Sequence, residues 1–176
     1  RHNSPMDRIA IIGLGFLGAS IGYTLRSRHG KKTTVIGFDH DSDAQRRAEK
    51  AGAVDETEWG MPSAVGDADI VVIATPAGSS IEIVKDMAPH LKSGAIVTDT
   101  TTAARGITEA AEEIFERDVT FVSGHPLVSG SGFENASAEL FEDQRWALAP
   151  TTRAPQRGVG VLVDFVEALG AKPLFI

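Results

Sequence analysis

Arg8-Ile9-Ala10-Ile11-Ile12 runs without a break into Gly13-Leu14-Gly15-Phe16-Leu17-Gly18, and from there into a stretch with Ile21 and Leu25 on one helical face. A nearly continuous apolar run is what a strand buried on both faces requires. A G-x-G-x-x-G set between such a strand and a helix predicts a turn that cradles phosphate: Gly13 for the tight bend, Gly15 for close approach of backbone N–H groups, Gly18 for helix–strand packing. Phe16 leads into the helix that opens at Leu17, so the positive end of its dipole faces the same phosphates. The plain alternative is an ordinary glycine-rich turn.

The rest of the chain repeats this rhythm. Strands are expected at Arg8–Gly13, Thr33–Asp39, Asp69–Ala74, Ala95–Asp99, Val119–Ser123, Arg145–Ala149 and Lys172–Phe175. Helices are expected at Leu17–Arg28, Asp43–Ala51, Ser79–His90, Ala104–Arg117 and Pro155–Leu169, with Ser42 and Ser79 or Ser80 as N-caps. Alternating strand and helix patterns predict an α/β fold of the Rossmann type, a doubly wound, mostly parallel sheet with helices on both faces. The stretch 124–135 reads as a long, structureless Gly/Ser-rich loop, and such loops in compact domains tend to carry function.

Asp39 ends the second strand 21 residues after Gly18, where dinucleotide folds place the carboxylate that accepts from the ribose hydroxyls. That acid would repel a 2′-phosphate, and the next residues, His40-Asp41-Ser42, bring no Arg, so NAD is expected over NADP. A turn acid or helix cap is the competing reading. Thr75-Pro76 come after the next apolar strand at the edge where open α/β sheets bind ligands, and are candidates for cofactor contact or for a simple turn.

Of the five histidines, His2 lies in the polar start, His29 and His90 at helix ends and His40 in a turn, and none forms a metal spacing with another. His125 differs: it comes directly after the strand over Thr120–Ser123, at the same sheet edge as the glycine loop. An imidazole there suits proton transfer as a hydride leaves a carbinol carbon; a structural histidine is the equal alternative.

Composition narrows the classes. The 176 residues carry 17 Lys+Arg against 24 Asp+Glu, a net charge of −7, which argues against nucleic acid as a partner. Cysteine is absent, removing disulfide scaffolds, thiolate metal sites and cysteine nucleophiles, and a cytoplasmic location is the expectation. No apolar run reaches the ~20 residues of a membrane helix. Residues 1–5 read as a polar leader and 6–176 as one dinucleotide-binding domain.

The glycine loop, Gly37-Phe38-Asp39, Ala74-Thr75-Pro76, Thr98-Asp99, Gly124-His125-Pro126, Ser131-Gly132-Phe133-Glu134-Asn135-Ala136 and Leu140-Phe141 together resemble the prephenate dehydrogenase family, arogenate dehydrogenases included, over essentially the whole chain. The resemblance implies NAD as cofactor, prephenate or arogenate as substrate, and a role for His125 in hydrogen-bonding the ring hydroxyl at the carbon that loses hydride, before decarboxylation aromatises the ring. In the family Asp-Val-Gly-Ser-x-Lys comes after the strand that here ends at Asp99; this chain has Asp99-Thr100-Thr101-Thr102-Ala103-Ala104, so Thr102 stands for the serine and the lysine is missing. The stretch after His125-Pro126 is also shorter than the family's usual one by about two residues. Family enzymes continue into a helical C-terminal domain that dimerises and supplies cations for the substrate carboxylates. That domain is absent from this chain, so catalysis by these residues alone is expected to be incomplete. Two other readings stay open: a dehydrogenase of the β-hydroxyacid type, and a non-catalytic NAD(H)-binding module.

Overall fold

In the computed structural model, which describes residues 5–101 and 104–176, the strands are β1 (Arg8–Ile12), β2 (Thr34–Phe38), β3 (Glu56–Thr57), β4 (Ile70–Ile73), β5 (Ile96–Asp99), β6 (Thr120–Pro126), β7 (Arg145–Pro150) and β8 (Lys172–Phe175). Between them lie α1 (Phe16–His29), α2 (Ser42–Ala51), α3 (Met61–Val65), α4 (Ser80–Met87), α5 (Ala104–Ile114) and α6 (Gln156–Ala168). The strands form one sheet in the order β3-β2-β1-β4-β5-β6-β7-β8. Every neighbouring pair is parallel except β6 and β7.

Strand periodicity of two divides the core between the faces. Ile9 and Ile11 point to the side where Ile21 and Leu25 of α1 and Leu162 and Phe165 of α6 close over them. Ala10 and Ile12 point to the other, against Val65 of α3, Val84 and Met87 of α4 and Ile107 of α5. The expected doubly wound sheet is therefore built from strands whose two sides are both covered. The chain changes direction across the sheet at β1, which has β2 on one side and β4 on the other, and the crevice above such a switch point is where open α/β sheets take ligands.

Several expectations are corrected. β3 and α3 were not foreseen, because two and five residues are too short to show a period. The expected helix Ser79–His90 is three pieces, 3-10 turns at Ala77–Ser79 and Ala88–His90 around α4, with Pro89 breaking the last turn. The N-cap of α2 is Asp41, whose carboxylate accepts from Asp43 N–H, rather than Ser42. Ser79 stands at the α4 N-cap but its hydroxyl bonds Pro76 O instead of capping.

The largest correction concerns 124–135. Gly124, His125 and Pro126 belong to β6, paired with Leu148, Ala147 and Trp146 of β7. Glycine and proline suggested a loop, yet β5 has already ended beside this stretch, so Pro126 has no ladder donor to supply on that side. The connection from β6 to β7 is not structureless either. Phe133–Asn135 form a 3-10 turn, Ser137 N–H donates to Ser20 Oγ at 3.0 Å, and Thr24 Oγ donates to Ala138 O at 3.0 Å. The Phe16 ring lies against Gly130, where a Cβ would stand 2.5 Å from Cζ. This segment is thus fastened along α1.

Candidate active site

The glycine loop sits at the carboxyl end of β1. Gly13 has φ +100°, and a Cβ on it would come within 2.7 Å of Ala74 O. A Cβ on Gly18 would overlap the carbonyl oxygen of Gly13, so α1 can approach the strand only there without a side chain. Gly15 is the opposite case: it is exposed, with no atom within 4 Å of where its Cβ would be, leaving open space over the helix start. No side chain caps α1, and its first turn carries no acid, so the leading N–H groups remain available to an anion. Phe16 and Leu17 contribute those N–H groups while their side chains pack elsewhere, Phe16 on Gly130 and Leu17 on the core.

Asp39 is locked to the loop from the neighbouring strand. Its Oδ2 accepts from Leu14 N–H at 2.9 Å and its Oδ1 from Asp41 N–H at 2.9 Å, while its own N–H donates to Gln45 Oε1 at 2.8 Å. Each carboxylate oxygen has lone pairs left over for further donors. Asp39 borders two hollows. One, of about 520 Å³, is walled by Ile12, Phe38, Met61, Ile83 and Thr75; the other, of about 540 Å³, includes Ser42, Arg46 and Trp59. Arg46 was missed by reading only the residues next to Asp39, since one helical turn of α2 brings it back. It makes an exposed ion pair with Asp43, one helical turn away. Pro76 is exposed at the same edge, and its carbonyl accepts from Ser79 N–H and Oγ in a turn.

The second half of the site lies along the same edge, farther across the sheet. Asp99, fully buried at the end of β5, accepts through Oδ1 from Ser123 Oγ at 2.9 Å and from Gly124 N–H at 3.1 Å. Burial pushes its carboxyl up to about 6, against the lowering effect of these bonds and of one from Thr101 N–H. His125 is half-buried on β6. Because side chains alternate across the strand, it shares a face with Ser123, and its cross-strand partner Ala147 shares that face with Arg145. Arg145 is exposed, and no ion pair engages it among the described residues. Trp146 is buried on the other face, its ring 5.1 Å from that of Phe141.

Among the described residues, the buried side-chain polar atoms without a hydrogen-bond partner are Thr75 Oγ, Asp99 Oδ2, His125 Nδ1 and Trp146 Nε1. They lie just past β4, at the end of β5, on β6 and at the start of β7, and so all occupy one edge of four successive strands. An unsatisfied buried polar atom costs about 1–3 kcal/mol, and folds retain few of them outside functional sites. Thr102 lies outside the described residues.

Residues 21–174 match the family described as prephenate dehydrogenase, nucleotide-binding domain. The chain belongs to the prephenate dehydrogenase family. It is 27% identical over 172 residues to prephenate dehydrogenase of Bacillus subtilis, covering 96% of this chain and 46% of that one. Its fold superposes on Synechocystis arogenate dehydrogenase with a TM-score of 0.87 at 27% identity, covering 96% of this chain and 59% of that chain. It also superposes on Aquifex aeolicus prephenate dehydrogenase in complex with hydroxyphenyl propionate and NAD+, with a TM-score of 0.88 at 26% identity, covering 97% and 60%. The chain spans about half the length of the curated relatives it matches. The glycine loop precedes the matched span, so its reading rests on its own geometry.

Sequence reasoning named the glycine loop, Asp39, Thr75 and His125, and the fold brings all of them to one edge. It quoted Asp99 within a motif without giving it a role, and passed over Ser123, Trp146 and Arg145 as site residues. An acid closing the apolar run Ile96-Val97-Thr98 was the available signal for Asp99; Trp146 and Arg145 gave none until the β6–β7 register was known. Among the described residues no helix is long and apolar enough to cross a membrane.

Proposed function

We propose that residues 6–176 are the NAD-binding half of a cytoplasmic, NAD-dependent dehydrogenase that oxidatively decarboxylates prephenate or arogenate, acting as a homodimer through a further helical domain. The observation that carries this is the orphaned Nδ1 of His125 at the same sheet edge as the glycine loop, because it sets a group able to move a proton beside a cradle for a dinucleotide. The open space at Gly15 and the uncapped start of α1 fit a pyrophosphate. The N–H groups of 15–18 would hold it, Asp39 would accept from the ribose hydroxyls, and Thr75 would contribute a hydroxyl at the β4 end.

NAD, when bound, supplies the hydride acceptor. The chain's own part is to orient the substrate and move a proton. His125, as neutral imidazole, accepts the hydroxyl proton from the carbon that loses hydride, which relieves the positive charge growing there; loss of carbon dioxide then aromatises the ring. Thr102, three residues past Asp99, is proposed as the hydroxyl that assists it. Arg145, on the His125 face, would attract a substrate carboxylate.

The test is titration of NAD and NADP, together with turnover of prephenate and arogenate by the whole protein. Tight NAD and weak NADP binding are expected, with Asp39→Ala losing the preference. Equal affinities, or no turnover of either substrate, would overturn the assignment.

A further inference from the structure

Asp99 is the sole fully buried acidic side chain among the described residues, and no ion pair reaches it. The parallel ladder between β5 and β6 ends at Thr98 and Val122. Beyond that point the Asp99 carboxyl takes over: Oδ1 receives Ser123 Oγ–H and Gly124 N–H, the donors immediately ahead of His125. Thr101 N–H donates to the same carboxyl, so the chain leaving β5 is gathered in as well. Gly124 can pass this close because it has no side chain; a Cβ there would come within 2.8 Å of both Asp99 O and Trp146 Nε1.

Given the reading of His125 as the base, we propose that Asp99 is its positioning residue: where the backbone ladder has ended, the Asp99 carboxyl holds the peptide that carries the imidazole, through Ser123 Oγ and Gly124 N–H. A neutral hydrogen-bonding group would suffice to tie two strands together. A carboxyl adds a dependence on charge, because the ionised form accepts these donors more strongly than the protonated one. His125 is the titratable neighbour on β6, Ile70–Ile73 of β4 and Trp146 of β7 bring none, and Arg105 and Glu109 of α5 are exposed and paired with each other. With the carboxyl lifted to about 6, the hold tightens as pH rises through that value.

The test uses Asp99→Ala, Asp99→Asn and Ser123→Ala in the whole protein, with two readouts. The imidazole nitrogen resonances of His125 are expected to shift in Asp99→Ala without any substrate present. Turnover of that variant should fall about 10–100-fold with the KM for NAD unchanged, the scale expected of a misplaced catalytic group. Asp99→Asn, which keeps an acceptor oxygen, should recover most of the rate and lose the ionisation near 6 from the pH profile. If Asp99→Ala does not fold, Ser123→Ala is expected to raise the Asp99 carboxyl titration further, since it removes a bond that lowers it, and to shift the imidazole less. Unmoved His125 resonances in both Asp99→Ala and Ser123→Ala, or a rate for Asp99→Asn as low as that for Asp99→Ala, would overturn the proposal. Moved resonances in a protein that turns over neither substrate would overturn the catalytic reading while leaving the anchoring of His125 in place.

Discussion

The two halves of the site are built by opposite means. Around the glycine loop the polar groups answer one another: Leu14 N–H and Asp41 N–H are held by Asp39, Asp39 N–H by Gln45, and Gly13 N–H by Phe38 O. What that region offers a ligand is open space and unpaired backbone at a helix start. Along β5, β6 and β7 the backbone is paired, and side-chain atoms are left wanting: Asp99 Oδ2, His125 Nδ1, Trp146 Nε1. A cradle whose side chains are already paired, with free N–H groups at a helix start, suits a cofactor bound in one pose. Orphaned groups at a low-dielectric edge suit a reacting molecule, whose charge changes during the reaction and whose transition state is best met by groups already in place. The contrast predicts that mutations in the first half change affinity and those in the second change rate.

The largest expected effect is at His125. His125→Asn keeps a hydrogen-bonding group without a base and should lose about 10²–10⁴-fold in kcat while NAD affinity stays at the wild-type value, checked by steady-state kinetics and cofactor titration. A parallel loss of NAD affinity would erase the distinction between the halves.

Within the cradle, two glycines of one motif should behave differently. Gly15→Val fills open space, so the fold should keep its Tm while NAD affinity falls by about 10² or more. Gly18→Val drives a side chain into the Gly13 carbonyl and should cost about 1–3 kcal/mol or prevent folding. Thermal denaturation with and without NAD separates them. Equal Tm losses would mean that Gly15 is structural too.

The same difference governs what could be read from sequence. The proposed cradle lies in one contiguous run plus one acid at a fixed spacing, so its physics is local and Gly13, Gly15, Gly18 and Asp39 could be singled out together. The seven longer strands were legible because burial on both faces leaves an apolar run. The proposed catalytic edge joins residues 99, 125 and 146 through strand order and register, which no local pattern encodes. His125 was found there, but it was assigned to a loop. Gly124 and Pro126 do break most strands, and nothing nearby in sequence reveals that β5 stops short of them. Arg46 was hidden for a related reason, being close to Asp39 by helical turn rather than by adjacency.

The middle-sized effect is on stability. The Asp99 carboxyl stands at about 6 in the fold against 3.8 unfolded, so the folded state binds this proton more tightly. Its contribution is fully present below pH 3.8 and is lost as pH rises through 6, on the order of 3 kcal/mol at about 1.4 kcal/mol per pH unit. Asp99→Asn does not titrate. The stability of wild type minus that of the variant, from urea unfolding at a series of pH values, should therefore fall between pH 4 and pH 7. A difference that stays flat with pH would mean that the carboxyl is not stranded without charge compensation. The orphaned character claimed for this half would then be lost.

The smallest expected effect contrasts two arginines. Arg145 lies on the His125 face at the sheet edge with no ion pair among the described residues, whereas Arg46 beside Asp39 shares an exposed ion pair with Asp43. A carboxylate about 4 Å from an exposed cation gains about 1 kcal/mol in water, a factor of roughly five in affinity. Arg145→Gln should accordingly raise the substrate KM about fivefold with little change in kcat, and added salt should shrink the difference, because an exposed pair is screened within a Debye length of about 10 Å at 0.1 M. Arg46→Gln should leave NAD affinity nearly unaltered, since Asp39 and the backbone of the glycine loop, not an exposed cation, are proposed to hold the cofactor. A salt-independent loss at Arg145 would point to packing of its aliphatic stem instead of charge, and a weakened NAD affinity in Arg46→Gln would show that the cradle, too, depends on side-chain charge supplied from α2.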